Sequence, residues 1–552
     1  MAHRNRALPG ITALLFVACE GAIGTNPRTA PQDAYVNVTV QEPNAPEPFL
    51  APEPVRSTPT QQDLARKYFP DADQALPPTR LFRLTRHQLD ATARALLPSH
   101  VKSALVSTMP KDPLQTGYEF SAHLTINNAN FTPYTTWVSQ IAASVRANPR
   151  SVIDCAVGAT GAACRDSRAR TFVTQAFRGS ASPAQVSKFA QFFSDRVAAV
   201  GETEATGDLV DLTLVSPSFI FRNEVHTDAS KTLVPALRLQ NLTYALADLP
   251  PEAVGLSSTA PDAAVGTPAA LGATLDALLA SKPAREKLQR FFLSWLEVKE
   301  PADFTISTTA FPSFTPVVAQ AAVNETKALL TQTLSKSVPS LKDITQAPAP
   351  STAPDTQHRF GIFTHSAVLA SHSGPTTTRL VKRGVFFTRK VMCLDLGAPP
   401  SDAPTMAPEI PDATERQRIE AATSPPSCMG CHTYINPFGA MQESFDPIGR
   451  FRTTDEGKPV DPSIKISFLD EGVVSTQTTA EALKALTGSA RFKQCFVRQL
   501  FRYYTGREEV AADAPVLRTM FLSFIQDDRQ DILAPLRILA GSSRFSQRQE
   551  AP

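Results

Sequence analysis

From Thr79 onward, apolar residues recur at three- and four-residue spacing over most of the chain, the signature of amphipathic helices. The first follows Arg83-Leu84-Thr85-Arg86 and runs to Leu97, with Leu84, Leu89, Ala93, Leu96 and Leu97 on one stripe and Pro98 as its stop. Helical patterns also cover 131–147 and 166–200, where Ser182-Pro183 reads as a helix start with Pro at the first helical position. Asp208–Glu224 reads as a helix, a break at Ser216-Pro217 and a short apolar segment. Residues 234–299 are mostly helical, interrupted at Ser281-Lys282-Pro283, and 315–343 add another amphipathic stretch. Thr414 and Gln417 stand at capping-box spacing before a short helix that Ser424-Pro425-Pro426-Ser427 ends. Asn436-Pro437, Phe438-Gly439 and Phe445–Arg450 read as loop. One minor β element is expected around Pro459–Gln477. In the final helices Phe492, Cys495, Phe496, Leu500 and Tyr503 share a face that stops at Gly506. The fold class is mainly α, with several consecutive helical domains.

The stretches without periodicity divide the chain. Residues 20–78, rich in Pro, Thr, Ala and Gln, read as a disordered or extended tether. Helical units follow at 79–148, 149–206 and 207–345, then a Pro/Ala/Ser-rich linker at 346–357, a module at 358–463 and a C-terminal helical unit at 464–552. Forty-seven Pro against two Trp fit helices joined by stiff connectors rather than a repeat array. A net charge of +2 gives no electrostatic reason to expect nucleic acid as a partner.

At the N-terminus, His3, Arg4 and Arg6 precede an apolar run, Ala7–Ala18, too short to span a bilayer. Residues 1–19 thus read as an export signal. Leu15-Phe16-Val17-Ala18-Cys19 resembles a bacterial lipobox with Cys19 as the lipidated residue; cleavage at Ala18 by an ordinary signal peptidase is the alternative. The expectation is a periplasmic or outer-membrane-associated lipoprotein of a Gram-negative bacterium, touching the membrane only through its acyl anchor.

Cys428-Met429-Gly430-Cys431-His432 carries the chemistry. C-x-x-C-H is the attachment signature of a c-type haem: two thiols add to the porphyrin vinyl groups, and the adjacent His432 supplies an axial nitrogen to iron. A redox-active C-x-x-C pair or half of a zinc site are the other readings. Neither requires a His directly after the second Cys, and no second Cys/His cluster offers zinc its remaining ligands. The module at 358–463 is therefore read as a loop-rich, cytochrome-c-like haem module with one covalent haem c.

Of seven cysteines, Cys19, Cys428 and Cys431 are so assigned, leaving Cys155, Cys164, Cys393 and Cys495. Four cysteines allow three pairings. Cys155 and Cys164 bracket a short Gly/Ala-rich loop, so local closure is simplest, and Cys393–Cys495 then ties the haem region to the C-terminal helices. An oxidising compartment permits both bridges; four buried free thiols are the alternative.

The sixth iron ligand is open between Met441, His372, His365 and Met406, and a five-coordinate iron is also compatible with the pattern. Two His seven apart on a helix lie about 10 Å apart along its axis, so His365 and His372 do not both bind one metal. Arg450 and Arg452, following the motif, and Lys382 and Arg383, preceding it, are candidate partners for the haem propionates. Phe438, Phe445 and Phe451 are candidate haem-packing aromatics.

These stretches resemble a family of large exported bacterial proteins, common in planctomycetes and myxobacteria, built from the DUF1587, DUF1595, DUF1592, DUF1588 and DUF1585 series around one C-x-x-C-H. Arg83-Leu84-Thr85-Arg86 looks like the first of these, Cys155–Cys164 like the second, and Ser216–Glu224 like the third. Lys382-Arg383-Gly384, Cys428–His432, Asn436-Pro437-Phe438-Gly439 and Phe445–Arg450 look like the fourth, and Phe492–Gly506 like the fifth. The third is shortened around 344–357, and Met441 stands where an aliphatic residue is more usual. The resemblance implies a haem-bearing, redox-active envelope protein. Electron transfer to an envelope redox partner, or a place in a redox enzyme, is the leading expectation. An α-helical scaffold with structural or sensory haem is the second, and a thiol–disulfide protein the third.

Overall fold

A computed structural model describes residues 59–73, 75–119, 124–156, 158–348, 356–398 and 409–549. The export signal, Cys19, most of the tether and Met406 lie outside these residues. The described chain is mainly helical, with three two-stranded antiparallel sheets.

Local signals place most helices where the pattern puts them. Thr85 caps the helix Arg86–Leu96 in a reciprocal box with Gln88, and Ser182 caps Pro183–Val200 with Pro at its first position. Ser281 starts Lys282–Trp295, so the break falls where Pro283 stands. The segment after Glu202–Val215 is one turn, Pro217–Ile220, running into the strand Phe221–Glu224. Gly506 ends Ala490–Thr505 at φ +66°, a conformation open to glycine without strain. The minor β element is a hairpin, Ile464–Leu469 against Gly472–Thr476.

Two large apolar cores, with two small clusters beside them, serve what the sequence divides into five segments. The smaller gathers Leu84, Leu89, Trp137, Phe172, Phe177, Leu209 and Phe219. The larger runs from Ala65 and Phe69 through Leu242, Phe291, Trp295 and Phe363 to Phe438, Phe496 and Phe524. Helix Pro235–Ala247 joins them: Tyr244 is buried in the first, Leu242 and Leu246 in the second. Asp248, at the C-terminus of this helix, accepts from Gln88, Lys287 and Arg290 at 2.9, 2.6 and 2.8 Å, linking three helices through one carboxylate. Strand Arg80–Arg83 pairs with Phe221–Glu224, and Pro78 and Thr232 bridge to Gln549 and Gln547, so the end of the described chain returns to this joint.

Residues 59–78, read as the end of the tether, are not all extended. Pro59–Tyr68 is a helix, with Ala65, Tyr68 and Phe69 buried in the larger core. Tyr68 and Lys67 bond Asp470, and Arg498 and Arg518 donate to the carbonyls of Tyr68 and Phe69. The Pro-rich composition upstream masks this short apolar face.

Both disulfides form: Cys155–Cys164 closes the local loop, and Cys393–Cys495 joins the segment before the C-x-x-C-H motif to helix Ala490–Thr505.

Candidate functional site

The C-x-x-C-H motif lies on a helix, Pro426–Ala440, not on a loop. The preceding helix, Glu415–Thr423, is capped by Thr414 and Gln417 as their spacing foretells, and Pro425-Pro426 turns the chain into the motif helix. Pro437 does not end it. Proline cannot donate to the carbonyl of Thr433, but Thr433 is exposed, where water can serve that oxygen. The reading of Asn436-Pro437-Phe438-Gly439 as ring-wrapping loop is corrected accordingly.

The motif helix is held close to a neighbour on both sides of the proline. It crosses the helix Leu380–Phe386 at two reciprocal glycines. A Cβ on Gly384 would stand 2.2 Å from the carbonyl oxygen of Ile435, and one on Gly439 would stand 2.4 Å from that of Leu380. Only glycine admits so close a backbone approach. Phe438 packs between Phe387 and Phe468, and Tyr434 against Phe468. Arg383 runs beneath the end of the helix and donates to the carbonyls of Gln442, Phe445 and Asp446 at 3.2, 2.9 and 2.8 Å and to Ser373 Oγ at 2.9 Å. Burial pushes its guanidinium down to about 9.

On the outer side, Cys428 and Cys431 are the free cysteines among the described residues, and both are half-buried. Three-residue spacing puts them one above the other on a helix face. Between them, Met429 is exposed and Gly430 has nothing within 4 Å of a notional Cβ. The Cys431 thiol points to the carbonyl of Leu396 at 3.4 Å, three residues beyond the disulfide at Cys393. His432, also half-buried, places Nδ1 2.7 Å from Asn436 Oδ1. Asn436 Nδ2 donates to Thr423 Oγ1 at 2.8 Å, and that hydroxyl donates to the carbonyl of Ile419 at 2.7 Å. The partner of this ring nitrogen is therefore a side chain, the Asn436 amide, rather than a backbone carbonyl.

The three described sixth-ligand candidates have places in the core. Met441 ends the motif helix with its side chain buried in the larger cluster. His365 is buried with Nδ1 3.2 Å from Thr326 Oγ1. His372 directs Nε2 to the carbonyl of Leu296 at 2.9 Å and stacks on Phe386, and burial drives its imidazole down to about 3. The candidate propionate partners also have protein partners. Arg450 pairs with Asp446 at 2.9 Å; Arg452 bonds Asp455, the carbonyl of Glu443 and Thr378; and Lys382 donates to the carbonyl of Ser371. Phe438 and Phe445 are core residues, and Phe451 stacks on His358 at 3.4 Å.

Sequence reasoning missed Thr423, Leu396 and the glycine crossing. An Asn four residues after a His is a usable signal for a helical hydrogen bond, hidden by reading Asn436-Pro437 as loop.

Two accessible thiols on one helix face and an adjacent oriented imidazole are the donor set that covalent haem c requires, so the residues fit the group. Among the described residues no group of three or more His, Cys, Asp and Glu gathers that could hold a metal ion.

The class that fold and site define is a mainly helical protein presenting a C-x-x-C-H motif on a glycine-packed helix. The chain carries two domains of the series: residues 239–361 match PSD4, a protein of unknown function (DUF1592), and residues 359–455 match PSCyt3, a protein of unknown function (DUF1588). No curated protein and no solved structure matches the chain.

Proposed function

We propose that this is an exported c-type haem protein of the bacterial envelope, acting in electron transfer or as the redox component of an enzyme. Cys428 and Cys431 would hold the porphyrin and His432 would offer iron its imidazole nitrogen; haem bound there would supply one-electron chemistry. One observation carries the reading: the four other described cysteines are paired in disulfides, while these two remain free and accessible on one helix face beside a hydrogen-bonded imidazole. The name of the PSCyt3 family, which suggests a cytochrome-like domain, points the same way. The two disulfides suit an oxidising compartment outside the cytoplasm, and among the described residues no helix is long and apolar enough to cross a membrane. Attachment to the membrane falls to an acyl chain on Cys19, and electrons pass to or from a redox partner protein of the envelope.

Optical spectra of the haem-loaded chain in both oxidation states test the electron-transfer role. A six-coordinate iron that cycles reversibly and does not bind carbon monoxide is the expected result. Rapid carbon monoxide binding by the reduced form would overturn that role in favour of sensing or catalysis at an open iron position.

A further inference from the structure

We propose that Asn436 is the positioning residue for His432: its amide holds the imidazole in the Nδ1–H tautomer with Nε2 bare, and sets axial-ligand strength through a neutral acceptor. The first half concerns the chain without haem; the second rests on the haem reading above.

The hydrogen-bond order assigns every proton. Thr423 has one hydroxyl proton, and it is spent on the carbonyl of Ile419 at 2.7 Å. Toward Asn436, Thr423 Oγ1 can only accept, so the group facing it at 2.8 Å is the amide NH2. The amide oxygen then faces His432 Nδ1 at 2.7 Å, and only Nδ1–H satisfies an oxygen acceptor. In the neutral imidazole Nε2 then keeps its lone pair, the atom an axial ligand offers.

The brace spans two helices. His432 and Asn436 are one turn apart on the motif helix, while Thr423 and Ile419 belong to Glu415–Thr423. The Pro425-Pro426 turn between them brings Thr423, itself buried, alongside Asn436. Ring orientation therefore rests on a tie between two rigid elements rather than on a loop carbonyl.

The acceptor's charge has an electronic consequence. A carboxylate at this position would draw the Nδ1 proton, make the imidazole a stronger donor, favour ferric iron and lower the potential; a missing acceptor would weaken the donor and raise it. A neutral amide sits between the two.

Nitrogen-15 spectra of the full, haem-free chain with labelled histidine, assigned through His432→Gln, read the tautomer directly. Wild type is expected to show Nδ1–H at His432, with Thr423→Val shifting it toward a tautomer mixture and Thr423→Ser restoring it. An Nε2–H signal in wild type, or a signal that Thr423→Val and Asn436→Ala both leave unchanged, would overturn the inference. In the haem-loaded chain, Asn436→Asp is expected to lower the midpoint potential and Asn436→Ala to raise it. A merely structural role moves both in the same direction, through a loosened haem environment, or neither. If wild type takes up no haem, the haem reading fails while the tautomer result stands; if haem attaches and the potentials move together, the positioning role fails alone.

Discussion

Adding one methyl group at two glycines of the motif helix should have opposite effects. At Gly439 a Cβ would meet the Leu380 carbonyl oxygen at 2.4 Å and its carbon at 2.9 Å, and both are backbone atoms that no rotamer change moves aside. Overpacking of this kind costs about 2–3 kcal/mol, and the gain in helix propensity from Gly to Ala returns about 1 kcal/mol, leaving a net loss of about 1–2 kcal/mol. At Gly430 nothing lies within 4 Å, so only the propensity gain of up to about 1 kcal/mol remains. Hydrogen exchange followed on peptides covering Pro426–Ala440 reports local opening. Gly439→Ala should speed exchange about 5- to 30-fold, and Gly430→Ala should slow it by up to about 5-fold. Gly430→Ala keeps the C-x-x-C-H spacing, so both variants can be loaded identically. Equal protection in Gly439→Ala and wild type, or equal acceleration in both variants, would refute the close crossing with Leu380–Phe386.

Burial, then the neighbouring Asp112 carboxylate, pushes Glu119 up to about 7, with Arg86 opposing. A carboxyl raised on folding stabilises the fold below its unfolded value and loses that contribution as pH rises through the folded one. Thermal melts at pH 5 and pH 8 should therefore show a smaller difference in Glu119→Gln than in wild type; an unchanged difference would contradict the burial of this carboxyl. On the chain-entropy account, opening Cys393–Cys495, which closes a 102-residue separation, should destabilise by about 4–5 kcal/mol, against about 2–3 kcal/mol for the 9-residue Cys155–Cys164 loop. Melting of the paired Cys→Ser variants checks the ranking, and the reverse order would show that long-range closure is not what the second bridge contributes.

Features set by neighbouring residues were legible in the sequence. The caps at Ser182 and Thr414, the break at Ser281-Lys282-Pro283 and the stop at Gly506 are local chemistry. So is the motif itself, because attachment chemistry needs its residues at fixed spacing. Features set across the fold were not. Pro437 looks like a helix stop until Gly384 and Gly439 are seen to lock the motif helix against its neighbour. His372 looks like a free ligand until Leu296, far upstream, supplies the carbonyl that its ring engages. The helix Pro59–Tyr68 is hidden in Pro-rich text because its partners, Asp470, Arg498 and Arg518, come from the other end of the chain. Asn436 was in view, but only as a loop residue; a helical reading of Pro437 turns its side chain into the partner of His432.

Covalent haem is the central claim, and denaturing electrophoresis tests it most directly. The full chain, produced in a host with active cytochrome c maturation, should retain haem-dependent peroxidase staining on a denaturing gel, and Cys431→Ala should lose stable attachment. A wild-type band that carries no haem, beside a control cytochrome matured in the same cells, would contradict the account.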